Sequence, residues 1–126
     1  MNKATLQVLA NLKNASNTQK PFTAIFYSQK AVKLLELLRQ HGFIRGYRHI
    51  GNKIIVKIKF LSEKKPLIHD IEIYSRPSRK LFVTYNNLLK DHSIYEIVVL
   101  STTAGYVVLH DAYQMGLGGE LLFKIN

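Results

Sequence analysis

The chain of 126 residues contains neither cysteine nor tryptophan. Without thiols it can form no disulfide and no thiolate metal site, and the composition suits a reducing interior. No stretch approaches twenty apolar residues, so no helix is expected to span a membrane. Acids are scarce: eight Asp and Glu stand against eighteen Lys and Arg, for a formal net charge of +10. Carboxylates this thinly spread offer no spacing for a general acid–base pair. The five histidines, His41, His49, His69, His92 and His110, include no two at the close helical spacing that chelates zinc. Ser101 lacks the G-x-S-x-G elbow of a hydrolase nucleophile. The expectation is a protein that is no enzyme, with no cofactor and no metal. A small hydrolase or transferase built on Ser101 or a histidine is the most remote alternative.

What is present is positive charge, unevenly placed. Residues 1–66 carry thirteen Lys and Arg against Glu36 and Glu63, a net +11, whereas residues 67–126 carry five against six acids, a net −1. A balance this basic points to a polyanion, nucleic acid before an anionic membrane. If the second half binds a polyanion, it must use something other than bulk charge. The first 35 residues contain no acid, as an import presequence would. The leucine spacing of "TLQVLANLKNA" and its lack of arginine favour an ordinary amphipathic helix of the mature fold. Richness in Ile, Asn, Lys and Tyr, with Lys well above Arg, fits AT-rich coding, of which an organelle genome is one source.

The apolar pattern predicts two small lobes of an α+β fold, with a boundary near Pro66. In residues 1–66, "TLQVLANLKNAS" places Leu6, Leu9 and Leu12 near one face of a helix ending near Ala15. "FTAIFY" is a strand. Ser28 stands as an N-cap before "QKAVKLLELLRQH", whose stripe is Ala31, Leu34, Leu35 and Leu38, and Gly42 ends the helix. "FIRGYRHI" is a strand, "GNK" a tight turn, and "IIVKIKF" a strand with Val56, Ile58 and Phe60 facing in and Lys57 and Lys59 facing out. "SEKKP" is a turn or linker. This lobe reads α-β-α-β-β.

Residues 67–126 read as a mostly antiparallel β lobe with one short helix. "LIHDIEIY" and "KLFVTY" are strands separated by "SRPS", since proline cannot sit inside a paired ladder. "NNLLKDHS" is a turn or one helical turn. "YEIVVL" is a strand buried on both faces. "YVV" leads to the short helix "LHDAYQMG", with Asp111 in its first turn, where a negative charge suits the dipole, and "LGGELLFKIN" closes the chain as a strand.

Three short segments carry candidate chemistry. "LSTTAG" sets Ser101, Thr102 and Thr103 at the end of the buried strand, before Gly105. These hydroxyls either satisfy loop backbone or touch something outside the protein. "GLGGE" lacks the lysine and Ser/Thr of a phosphate loop and leads into a strand, so Gly118 and Gly119 read as positions of close backbone approach. "SRPSRK" sets Arg76, Arg79 and Lys80 around a proline, a solvated basic turn or a phosphate contact. Lys57 and Lys59 are weaker candidates of the same kind.

Taken together, "SRPSRKLFV", "IVVLSTTAGYVV" and "MGLGGELLFKIN" resemble the bacterial-type small-subunit ribosomal protein eight family. That family runs hydrophobic strand, Ser-Thr-Ser-Lys-Gly, short helix, Gly-x-Gly-Gly-Glu and final strand. Ser101, Thr102, Thr103 and Gly105 match the first motif, and Gly116, Gly118, Gly119 and Glu120 the second, with no gap between Ser101 and the end. Ser75, Arg76 and Pro77 match an earlier Ser-Lys/Arg-Pro-Gly element. Leu9, Leu12, Lys13, Asn14 and Ala15 are similar to the family's first helix, and "SQKAVKLLELLRQHGFI" to its second.

The resemblance implies a two-lobed, non-catalytic protein bound to the central domain of small-subunit ribosomal RNA, chiefly the stem called helix twenty-one. It makes Ser101, Thr102, Thr103, Gly105, Gly118, Gly119, Glu120, Ser75, Arg76, Pro77, Arg79, Lys80, Lys13 and Asn14 the expected RNA-binding residues. It implies a role in subunit assembly and translation, with small-subunit proteins five, twelve and seventeen as neighbours. Repression of translation through a messenger RNA mimic of the stem is an alternative. The departures are Ala104 for the motif's lysine, Ser78 for its glycine after proline, Phe82 for an aromatic hydroxyl, Val108 for a helix-capping threonine, and Tyr113 and Gln114 for basic residues. At least two positive charges have left the site. With the AT-type composition, this looks like an organellar form in the mitochondrial matrix, with plastid or bacterial cytoplasm as alternatives.

Overall fold

Fifteen residues, Lys3–Asn17, form α1 in a computed structural model that describes residues 1–62, 65–94 and 96–126. Its buried stripe is Thr5, Val8, Leu9, Leu12, Ala15 and Ser16. Leu6 lies at the margin of this stripe, because the helical advance brings Thr5 rather than Leu6 into line with Leu9 and Leu12. Strand β1 is Phe22–Phe26. Helix α2, Gln29–Gln40, starts where the Ala31 amide donates to Ser28 Oγ at 3.0 Å, and it buries Ala31, Leu34, Leu35, Leu37 and Leu38. Strands β2, Ile44–Ile50, and β3, Lys53–Ile58, complete an antiparallel sheet in the order β1-β3-β2. Both helices pack on this sheet. Ile25, Ile44, Ile54, Val56 and Ile58 are buried.

Strand β4, Phe60–Ser62, pairs with β5, Lys65–Pro66. The segment "SEKKP", read above as a turn or linker, therefore has Ser62, Lys65 and Pro66 in a short ladder, while Glu63 and Lys64 lie outside the described residues. Pro66 is tolerated because each strand has only one neighbour.

The chain divides into two compact units, residues 3–70 and residues 71–126 together with Met1 and Asn2. The second contains β6 (Ile71–Ile73), β7 (Phe82–Val83), β8 (Ile97–Thr102), β9 (Gly105–Val108), α3 (Leu109–Met115) and β10 (Gly119–Ile125). All its ladders are antiparallel, in the order β6-β10-β8-β9, with β7 also pairing β10. The fold is α+β. Leu88, Val98, Leu100, Val107, Leu109 and Ala112 form the core, with Tyr74, Val83 and Leu121 against it. Burying one such leucine contributes roughly 1.5–3 kcal/mol.

Two strands are shorter than the alternation of their sequences predicts. The β6 ladder begins at Ile71, opposite Ile125, where β10 ends. The β7 ladder stops at Val83, opposite Gly119, where β10 begins. Beyond Val83 the chain enters a one-turn 3-10 helix, Tyr85–Asn87. The strand read in "YEIVVL" begins at Ile97; Tyr95 lies outside the described residues.

Candidate nucleic-acid interface

The hydroxyl segment sits at the β8–β9 turn. Thr102 Oγ1 donates to the Gly105 carbonyl at 3.0 Å and accepts from the Ala104 amide at 3.1 Å. Its proton is used inside the loop, so Thr102 is the residue that shapes the turn. Gly105 follows with φ of 97°, a conformation that disfavours a side chain. The hydroxyls of Ser101 and Thr103 have no side-chain partner among the described residues. Ser101 is half-buried and Thr103 is exposed at the tip. The structure thus separates three hydroxyls that looked equivalent: one is internal and two can face outward.

Opposite this turn runs the start of β10. Glu120 is the cross-strand partner of Ser101 on one side and of Phe82 on the other. A Cβ added at Gly119 would lie 2.3 Å from the Ser101 carbonyl oxygen, and one added at Gly118 would lie 2.4 Å from the Val83 oxygen and 2.8 Å from the Tyr85 nitrogen. The glycine pair is therefore required by the chain's own backbone. It locks the Ser101 strand end on one side and the Val83–Tyr85 segment on the other. The Glu120 carboxylate accepts from the Met1 ammonium and is mostly covered.

Ser75 is fully buried. Its hydroxyl donates to the Leu121 carbonyl and accepts from the Leu81 amide at 3.0 Å. It has no face to offer a ligand; it fastens the next segment to β10. That segment is a hairpin in which the Arg76 and Arg79 backbones exchange hydrogen bonds of 2.8 and 3.0 Å across Pro77 and Ser78. Ser78 has no positive φ, so the turn accepts a serine where the resembling motif has glycine. Arg76, Pro77, Arg79 and Lys80 are all exposed. The two arginines are direct cross-strand partners, and no carboxylate pairs with these three cations among the described residues.

Lys13 and Asn14 belong to the other unit. Lys13 Nζ lies 2.9 Å from Asp70 Oδ1, so its charge is already partnered. Asn14 is exposed, and its carbonyl accepts from Thr18 Oγ1 at 2.7 Å. Val108 occupies the N-cap of α3 without a side-chain capping bond.

One pair escaped the sequence reading. Tyr85 and Tyr113 stack with ring centroids 5.6 Å apart, each somewhat over a third exposed. The Tyr85 backbone adjoins Gly118, yet the two rings are far apart in sequence and no periodicity links them. Exposed aromatic faces suit unpaired bases, which stack on them without sequence demands.

The family model described as "Ribosomal protein S8" matches residues 5–126. The chain is 30% identical over 123 residues to the "Small ribosomal subunit protein uS8" of Nitrobacter winogradskyi, covering 94% of this chain and 92% of that protein. It is also 30% identical over 132 residues to the "Small ribosomal subunit protein uS8c" of Euglena longa, covering 94% and 93%. With the Helicobacter pylori protein uS8 the identity is 27% over 121 residues, covering 93% and 92%. These matches set the chain among structural ribosomal proteins and outside the enzymes. Within that class it belongs to the ribosomal protein S8 family, of which it is a divergent member.

Proposed function

We propose that the protein is a constituent of the small ribosomal subunit that binds the central domain of small-subunit ribosomal RNA at the helix twenty-one region and supports assembly and translation. The observation that carries this reading is the pair of solvent-accessible hydroxyl residues Ser101, in β8 and packed backbone to backbone against Gly119, and Thr103, in the turn just beyond the strand. A rigid hydroxyl pair can read the shape of an irregular RNA stem by hydrogen bonds. Arg76, Arg79 and Lys80, which no carboxylate pairs among the described residues, add phosphate attraction. Charges absent at Ala104, Tyr113 and Gln114 leave recognition here to fit, hydrogen bonds and stacking, with small-subunit proteins five, twelve and seventeen as neighbours. The AT-type composition supports a mitochondrial ribosome as the location.

Binding of the full-length protein to the isolated ribosomal RNA stem tests the reading. Ser101→Ala and Thr103→Ala should each weaken it by about 1–3 kcal/mol, the effect of an unmade hydrogen bond in a dry interface. Unchanged affinity in both variants would remove the site. Co-sedimentation of tagged protein with small subunits from isolated mitochondria tests the location.

A further inference from the structure

Among the described residues of this unit, both helices, α1 and α2, pack on the same face of its three-stranded sheet. The cross-strand register forms rows across the sheet on the other face: Phe22 pairs with Lys57, Ala24 with Ile55, which pairs in turn with Arg48, and Phe26 with Lys53, which pairs in turn with Ile50. Phe22, Phe26 and Ile50 are 52%, 65% and 57% exposed. A groove of about 460 Å³ on this face is lined by Phe22, Arg45, Arg48, Ile50, Ile55 and Lys57. Lys53 Nζ lies 5.5 Å from the Phe26 ring centroid.

The strands β1, β2 and β3 contain no acid at all, and Arg45, Arg48, Lys53 and Lys57 have no carboxylate partner among the described residues. An apolar protein partner would leave these four cations desolvated and unpaired, at considerable cost. A polyanion that also carries flat apolar rings meets both chemistries at once. The rings of Phe22 and Phe26, four residues apart on one strand, stand about 13 Å from each other, wider than the spacing of adjacent nucleotides, so they would hold two bases with at least one nucleotide between them along a single strand.

From this face we infer that the sheet is a second RNA surface, one that binds unpaired nucleotides by stacking bases on Phe22 and Phe26 and pairing phosphates with Arg45, Arg48, Lys53 and Lys57. It differs in kind from the stem-binding reading and does not depend on it.

The test uses the full-length chain and a labelled oligouridine of about ten nucleotides, near the site size of one small binding domain, with fluorescence anisotropy as readout. Phe22→Leu/Phe26→Leu keeps apolar bulk on a solvent-facing surface and removes both rings, so an unchanged circular dichroism spectrum and unfolding midpoint are expected. Affinity for oligouridine should fall on the order of tenfold per ring, while affinity for the ribosomal RNA stem stays. Ser101→Ala should do the reverse, so failure of either site shows separately. The inference is overturned if the wild-type protein does not bind oligouridine. It is overturned equally if the double variant binds as well as wild type, or if affinity falls only when Lys53 and Lys57 are replaced by Ala, which would leave charge without stacking.

Discussion

In residues 3–70, basic residues outnumber acids thirteen to three, and four of the cations, without a carboxylate partner among the described residues, lie on one open sheet face beside exposed phenylalanines. In the other unit, five basic residues meet five acids, and the candidate surface is built from two hydroxyls, two glycines, a hairpin and a pair of tyrosines. A surface of cations and rings tolerates displacement, because charge acts at a distance and stacking accepts any base. A surface of hydroxyls and close backbone works only if every atom keeps its place. Substitutions should therefore act through affinity and salt dependence in the first unit, and in the second through stability at the close-packed backbone and through salt-independent affinity at the hydroxyls.

The sharpest way to break that contrast is at glycine. Gly119→Ala drives a methyl group against the Ser101 backbone, with the Thr102 methyl beside it, and the nearest atom, the Ser101 carbonyl oxygen, is backbone that cannot swing aside. It should lower stability by about 3 kcal/mol, read as the midpoint of urea unfolding, and stem affinity should fall with it. Gly46→Ala, in β2, meets nothing within 4 Å and has no positive φ, and should shift stability by no more than about 0.5 kcal/mol. Equal effects at the two sites would erase the distinction.

Next comes Ser75→Ala. It leaves the Leu81 amide and the Leu121 carbonyl without this buried partner and should destabilise by about 1–3 kcal/mol. Whatever RNA affinity is lost should return in conditions that restore folding. A residual loss in fully folded protein would make Ser75 a contact rather than a fastener.

Salt separates the units more gently. Lys53→Ala should reduce the slope of log affinity for oligouridine against log salt by about 0.7, the single-strand value for one phosphate contact. Ser101→Ala should leave the slope for the stem unchanged while lowering the affinity.

The smallest effect lies within the basic unit. Hydrogen bonds from Arg39 and Tyr47 hold the Glu36 carboxyl down at about 2. A depressed carboxylate stabilises the folded state above its unfolded pKa, and that contribution is lost as pH falls from the ordinary carboxylate range toward pH 2. Glu36→Gln should flatten this part of the stability–pH curve slightly, because the group is partly exposed and screened. Urea midpoints at pH 6 and pH 3 for both proteins measure it.

Local grammar was legible and ladder partners were not. Helix α2 could be read from Ser28, the leucine stripe and Gly42 because a cap and a stripe need only neighbours along the chain. The lengths of β6 and β7 could not, since the ends of β10 set them, some fifty and forty residues away. Ser75 looked like part of a surface turn because nothing in "SRPS" reveals that Leu81 and Leu121 converge on its hydroxyl. The three hydroxyls of "STT" formed one candidate group; only the turn geometry assigns Thr102 inward. The glycines of "GLGGE" announced a close approach without saying to what, and the answer is the chain's own Ser101 and Tyr85 backbone.

The Arg76–Arg79 bridge has a thermodynamic corollary. Two like charges placed directly opposite each other oppose the pairing that holds them there. Any anion seated between them removes that repulsion, so its binding and the hairpin's order are linked and each strengthens the other. Phosphate or sulfate should then raise the melting temperature of the protein more than chloride of equal ionic strength, and Arg79→Gln should remove the excess. A phosphate group would supply the counter-charge that the two arginines do not give each other.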